Sequence, residues 1–316
     1  MGDAGENAWQ VMPSTISTEL PLLAVPNISE GRAPSVVQAI ARAFTAEGVV
    51  RLLDVHSDAD HHRAVLTLAG APGGLAPELA RGAAATLAQL DVGTDRAAAD
   101  IGQHPHVGAV DVVPVVYLDP AMRGAACAEA LVAAELISRL GVPVLLYGEL
   151  AGGRTRAQLR RGGIAELARR LRAGELRPDF GPATAHPTAG VTLVAARAPL
   201  VAFNLELAPP VDVGQARRIA ALIREGGSQG LPGVRALGIA LRRPAGIVAQ
   251  VSTNVERPTE VPLRTVIAAV AAHAAVASAE LVGLAPRAAL EDFPSDVPLA
   301  GFDPARHILE NALGFD

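Results

Sequence analysis

The chain contains no lysine: all 27 of its basic residues are arginine. Schiff-base chemistry on a lysine amine and phosphate-loop binding through a lysine are therefore both excluded. A single cysteine, Cys127, rules out a disulfide framework within the chain and a cysteine-based zinc site. Aromatic residues make up only 3% against 50% apolar residues, so the core must be built from Ala, Val, Leu and Ile. No apolar run approaches the ~18 residues of a membrane helix. No basic block precedes Arg32, and a net charge of −5 without basic clusters argues against nucleic acid and anionic membranes as partners. These features lead us to expect a cytoplasmic protein acting on small molecules.

At 316 residues the chain exceeds what one core comfortably serves, and two units are expected. Residues 1–19 lack periodicity and read as an extension. Strands are predicted at 20–28, 49–55, 63–69 and 109–118, with helices at 33–47 and 77–90. This βαββαβ order is that of ferredoxin-like sandwiches. A helix near 121–140, a strand at 142–147 and a helix near 156–172 extend this half to residue 180. Pro178, Gly181, Pro182 and Pro187 then punctuate the chain. A second βαββαβ is predicted over 181–293, opening with strands at 191–197 and 199–207. Helices are predicted next at 212–225 and 262–276, and strands at 234–242, 246–252 and 279–284. The expected fold is α/β (α+β), with two similar subdomains whose sheets face a ligand cleft or tunnel and whose helices lie outside. Residues 294–316 are expected to form a tail ending in a short helix.

Residues 101–114, Ile-Gly-Gln-His-Pro-His-Val-Gly-Ala-Val-Asp-Val-Val-Pro, carry the strongest chemical signal. Imidazole titrates near neutrality and can act as base and then acid in one turnover. His104 and His106 are candidates, against the plain alternative of a surface pair, and Asp111 is a candidate to orient the imidazolium. The stretch 54–63, Asp-Val-His-Ser-Asp-Ala-Asp-His-His-Arg, invites a metal reading, but its spacing fits no compact ligand motif and its residues suit a hairpin turn. No metal is expected. Arg63 could instead fork a substrate carboxylate, aided by His61 or His62, with Asp54 beside them. Asn204 and Asn254 sit at predicted strand ends, suited to a ligand's polar edge or to a turn. The glycine-bounded loop 181–190 could admit a flat ligand close to its backbone, or serve only as a linker.

Val25-Pro-Asn-Ile-Ser-Glu-Gly-Arg32, the His104 segment, Arg177-Pro-Asp-Phe-Gly-Pro182 and His186-Pro-Thr-Ala-Gly190 occur in one register. Together they resemble the glutamate formiminotransferase family, alone or as the first domain of formiminotransferase-cyclodeaminase. The resemblance spans about residues 22–290. It implies transfer of a formimino group from N-formimino-L-glutamate to N5 of tetrahydrofolate, the co-substrate, in histidine breakdown, by a homodimer. It assigns the catalytic histidine to His104. It assigns folate binding to Gly181, Pro182, Ala183, Thr184, Ala185, His186, Pro187, Thr188, Ala189 and Gly190. Only the transferase step is expected of this chain. Alternatives are a paralogue with another formyl or formimino donor, a folate binder without turnover, or a metal-dependent hydrolase built on residues 54–62. Two positions depart from the family pattern: His62 replaces an expected asparagine, and Glu206 an expected neutral residue. An acid there would repel a di-anionic donor unless it faces away or is paired.

Overall fold

A computed structural model describes residues 20–93 and 106–315. The first strand is split: β1 (Leu22–Ala24) and β2 (Asn27–Ile28) are separated at Val25-Pro26, because proline has no N–H to donate to a ladder. Both halves pair with the same neighbours. β4 (Arg63–Gly70) lies on one side, with Leu22 opposite Gly70 and Asn27 opposite Val65. β5 (Val110–Val116) lies on the other. β3 (Val50–Asp58) completes a hairpin with β4. β7 (Thr192–Arg197) joins β5 in parallel, and β6 (Val144–Leu146) joins β7 in parallel. The sheet thus runs β3–β4–β1/β2–β5–β7–β6.

The helices α1 (Pro34–Ala43), α2 (Leu75–Gln89) and α3 (Arg123–Ser138) cover one face of this sheet. Ile40, Leu79 and Ile137 pack there on Ile28, Leu66 and Val113. Phe44, fully buried, lies against the α2 glycine: a Cβ on Gly82 would stand 2.1 Å from its ring. On the opposite face, α4 (Arg156–Arg160) and α5 (Gly163–Arg172) cover β6 and β7 through Leu159, Leu167 and Leu171. One helix was expected over 156–172. It breaks because Gly162 and Gly163 take φ of 81° and 73°, a left-handed conformation that ends a helix.

The second sheet is built from β8 (Val201–Leu207), α6 (Val213–Ile223), β9 (Val234–Arg243), β10 (Gly246–Val255), α7 (Leu263–Ala271) and β11 (Val276–Val282). Its order is β12–β11–β8–β10–β9, where β12 is the short strand Leu299–Ala300. Ile219, Ile223, Val266 and Val270 pack on Phe203, Leu205 and Val251, and Phe293 meets the Phe203 ring edge-on at 6.3 Å. In both sheets the unit's first strand lies between its fourth and third, as expected of two ferredoxin-like repeats. The strand expected to open the second half, β7, belongs instead to the first sheet, so the chain crosses at 198–200 rather than at 180/181. Proline and glycine near 181 mark a long crossover loop, and parallel pairing with β5 and β6 draws residues 192–197 into the first sheet. The tail forms α8 (Pro304–His307) and α9 (Leu309–Leu313) and returns to the first sheet, where Leu309 and Leu313 pack on Leu23, Ala69 and Val116. No helix among the described residues is long and apolar enough to cross a membrane.

Candidate functional site

Alternation along β4 decides which side chains meet the second sheet. Ala64, Leu66 and Leu68 face the helices, while Arg63, Val65 and Thr67 face a cleft between the sheets. Asn27, Val112 and Pro114 continue this wall, and Asn204, Ser252 and Asn254 from β8 and β10 form the other. The cleft has about 890 Å³ of empty volume, its open mouth included. Arg156 and Arg197 also line it, near the helical side of β7.

The cleft's charge comes from arginines held against a low-dielectric wall. Burial pulls the Arg63 guanidinium down to about 10, with Arg160 pushing the same way and Asp111 opposing. Burial likewise pulls Arg197 down to about 10. Both remain cationic at neutral pH and suit an anionic ligand. Arg160 and Asp111 form a buried ion pair beneath Arg63, and Asp111 Oδ1 also accepts a bond from the Val107 N–H at 2.8 Å. Asp111, expected to orient an imidazolium, has both oxygens engaged by these groups. His104 itself lies outside the described residues; His106 is buried.

The loop 181–190 is fastened to the residues on either side of 94–105. Val92 N–H donates to the Thr188 carbonyl at 2.7 Å, Ala109 N–H to Ala189 at 2.9 Å, and Val191 N–H to Val107 at 2.9 Å. Gly108 and Gly190 bridge directly. This approach requires glycine, since a Cβ on Gly108 would stand 2.1 Å from the Val191 carbonyl and one on Gly190 2.3 Å from that of Val107. Within the loop, His186 Nδ1 accepts from the N–H groups of Thr188 and Ala189, at 3.3 and 3.0 Å. Residues 181–184, 187 and 188 are exposed, and none of 181–190 lines the cleft.

Of the residues predicted to bind the donor, the structure brings Arg63, Asn204 and Asn254 together in the cleft lining. Asp54 stands opposite Thr67, on the same face of the sheet but outside the lining. His62 is outside that lining; with φ of 47° it accepts from the Gly31 N–H at 3.2 Å and packs near Glu30. Asparagine and histidine are among the few side chains that tolerate this backbone region, so the departure at His62 is a turn substitution. Glu206 is paired, its carboxylate gripped by Arg243 at 2.6 and 3.1 Å, and Arg243 also holds Asp60 at 2.8 Å. Sequence reasoning passed over Arg156, Arg160 and Arg197. The one available signal was that every fixed side-chain cation in a lysine-free chain must be an arginine or a protonated histidine.

Residues 22–197, ending on the last residue of β7, match the family model of the formiminotransferase domain, N-terminal subdomain. The chain is 33% identical to the glutamate formimidoyltransferase of Streptococcus pyogenes serotype M1, over 92% of this chain and 97% of that one. The chain belongs to the formiminotransferase family. It is 30% identical to the glutamate formimidoyltransferase of Thermoplasma acidophilum over 92% of its length and 96% of the relative's. Against the formimidoyltransferase-cyclodeaminase of Sus scrofa it is 36% identical over 85% of its length, spanning 50% of that larger protein. The chain is thus an enzyme of the transferase class, and its family implies small-molecule substrates.

Proposed function

We propose that this enzyme transfers the formimino group of N-formimino-L-glutamate to N5 of tetrahydrofolate, with His104 as general base. The observation that carries the reading is the joining of two distant segments. The residues bounding the His104 segment and the loop 181–190 are laced together beside the Arg63 end of an arginine-lined cleft. In this mechanism N5 attacks the formimino carbon while the His104 imidazole takes the N5 proton. The tetrahedral intermediate collapses as the imidazolium returns that proton to the departing glutamate nitrogen. Arg63 pairs with a donor carboxylate, and the amides of Asn204 and Asn254 meet the donor's polar edge. Asp111 holds Arg160 and anchors the chain at Val107, three residues after His104. Fixing two substrates in one cleft supplies much of the rate, and the base adds ~10²–10⁴-fold.

Glu206 does not oppose a di-anionic donor, because Arg243 neutralises it. The deciding experiment incubates the protein with tetrahydrofolate and N-formimino-L-glutamate and monitors 5-formiminotetrahydrofolate. Formation of that product with release of glutamate is expected. Folate binding without product would leave a binder, and product from a formyl donor alone would reassign the donor.

A further inference from the structure

Where β3 and β11 face each other across the two sheets, His56, Asp58 and Glu280 converge. Their ligating atoms lie within 4.8 Å of one another. We propose that these three side chains bind a divalent transition cation that bridges the two subdomains. The donor set suits one: an imidazole nitrogen with two carboxylate oxygens is the mixed N/O chemistry that Zn2+ and its neighbours accept. The orientation of each group adds to this. Asp58 Oδ1 is occupied by the N–H groups of Asp60 and His61, at 2.8 and 3.0 Å, which leaves Oδ2. Glu280 Oε2 is occupied by the Asn204 amide at 3.0 Å, which leaves Oε1. His56 Nε2 is buried without a hydrogen-bond partner and stands 3.5 Å from that Oε1, too long for a strong bond. Two of the three donor atoms thus belong to carboxylates whose other oxygen is already tied, the outer-shell arrangement that fixes metal ligands.

Charge points the same way. Glu206 has a guanidinium partner, whereas among the described residues the ion-pair partners of Asp58 and Glu280 are histidines. The two carboxylates together bring a formal charge of −2 toward a dication, offset at Asp58 by the charge of Arg63. Ligands at ~2.0–2.2 Å from an ion stand at most about 4.4 Å apart, so closing the site needs side-chain movements below about 1 Å. Spacing within 54–63 could not disclose this site, because its third ligand lies more than two hundred residues away.

The test uses the full, tag-free chain, stripped with chelator and titrated with Zn2+ alone by calorimetry, with bound zinc counted by mass spectrometry. About one Zn2+ per chain is expected, with the melting temperature rising as Zn2+ is added. Glu280→Gln and His56→Ala should each weaken binding by about 100-fold and abolish the zinc-dependent rise. Circular dichroism checks that each variant folds; where one does not, Asp58→Asn replaces it. No saturable 1:1 binding, a melting temperature indifferent to Zn2+, or binding undiminished in the folded variants would overturn the site and leave a simple histidine–carboxylate contact. Transfer activity is not the readout, so the proposal fails or stands apart from the substrate reading.

Discussion

The two sheets share one strand order yet divide the chemistry unequally. The first presents the cleft with Arg63 and, beneath it, the Asp111–Arg160 pair; the second offers mainly uncharged groups, Asn204, Ser252 and Asn254. The first also carries a parallel extension of two strands, β7 and β6 beyond β5, where the second has only the two-residue β12 in parallel with β11. The extension explains the division. Antiparallel hairpins need only tight turns, whereas parallel strands need long crossovers. The crossover into β7 provides α4, with Arg156 and Arg160, and then the loop 181–190. A repeated fold thus became asymmetric by lengthening one connection, and the additional polar groups lie on it.

Four substitutions put that asymmetry to the test, in descending order of effect. His104→Ala in the first unit should cut kcat at least ~100-fold while leaving tetrahydrofolate affinity within a few-fold. Steady-state kinetics with folate titration checks this, and a variant retaining a tenth of kcat would remove the base. Arg160→Ala strands the buried Asp111 carboxylate and should cost about 3–5 kcal/mol in urea unfolding. A loss below about 1 kcal/mol would mean that the pair is not the buried anchor described. Arg63→Ala should raise the donor KM by roughly 10- to 150-fold, through loss of about 1.5–3 kcal/mol of charged hydrogen bonding, with little change for folate. An unchanged donor KM would take Arg63 out of the site. Asn254→Ala, on the second wall, should raise a KM by no more than about tenfold and leave kcat near its starting value. If instead its kcat falls as far as that of His104→Ala, the second sheet carries chemistry too and the asymmetry is broken.

Both βαββαβ units were legible because apolar periodicity reports which face of each element is buried. That signal is strong in a core of small aliphatics. Three errors share one cause. The split at Val25-Pro26, the break at Gly162-Gly163 and the reassignment of β7 all turn on what a backbone can pair with, which apolar patterning does not encode. At the site, Arg63 was legible as the first residue of a strand just past a polar hairpin. Arg156 and Arg197 were not, since a lone arginine near an element's end reads as a solvated one until the element opposite it is known. His62 and Glu206, which departed from the family pattern, were resolved by a backbone angle and by a salt bridge.

The sequence by itself determined the composition of the core, the absence of lysine chemistry, the order of most elements and the family register. These are local properties, set by residue type and by spacing along the chain. Tertiary structure alone decided that Gly108 and Gly190 touch, that Asp111 pairs with Arg160 forty-nine residues on, that Arg243 neutralises Glu206, and that Glu280 comes to stand beside His56. Each of these depends on which strands become neighbours. That choice is made by the collective burial of two cores, and no segment of the chain carries it alone.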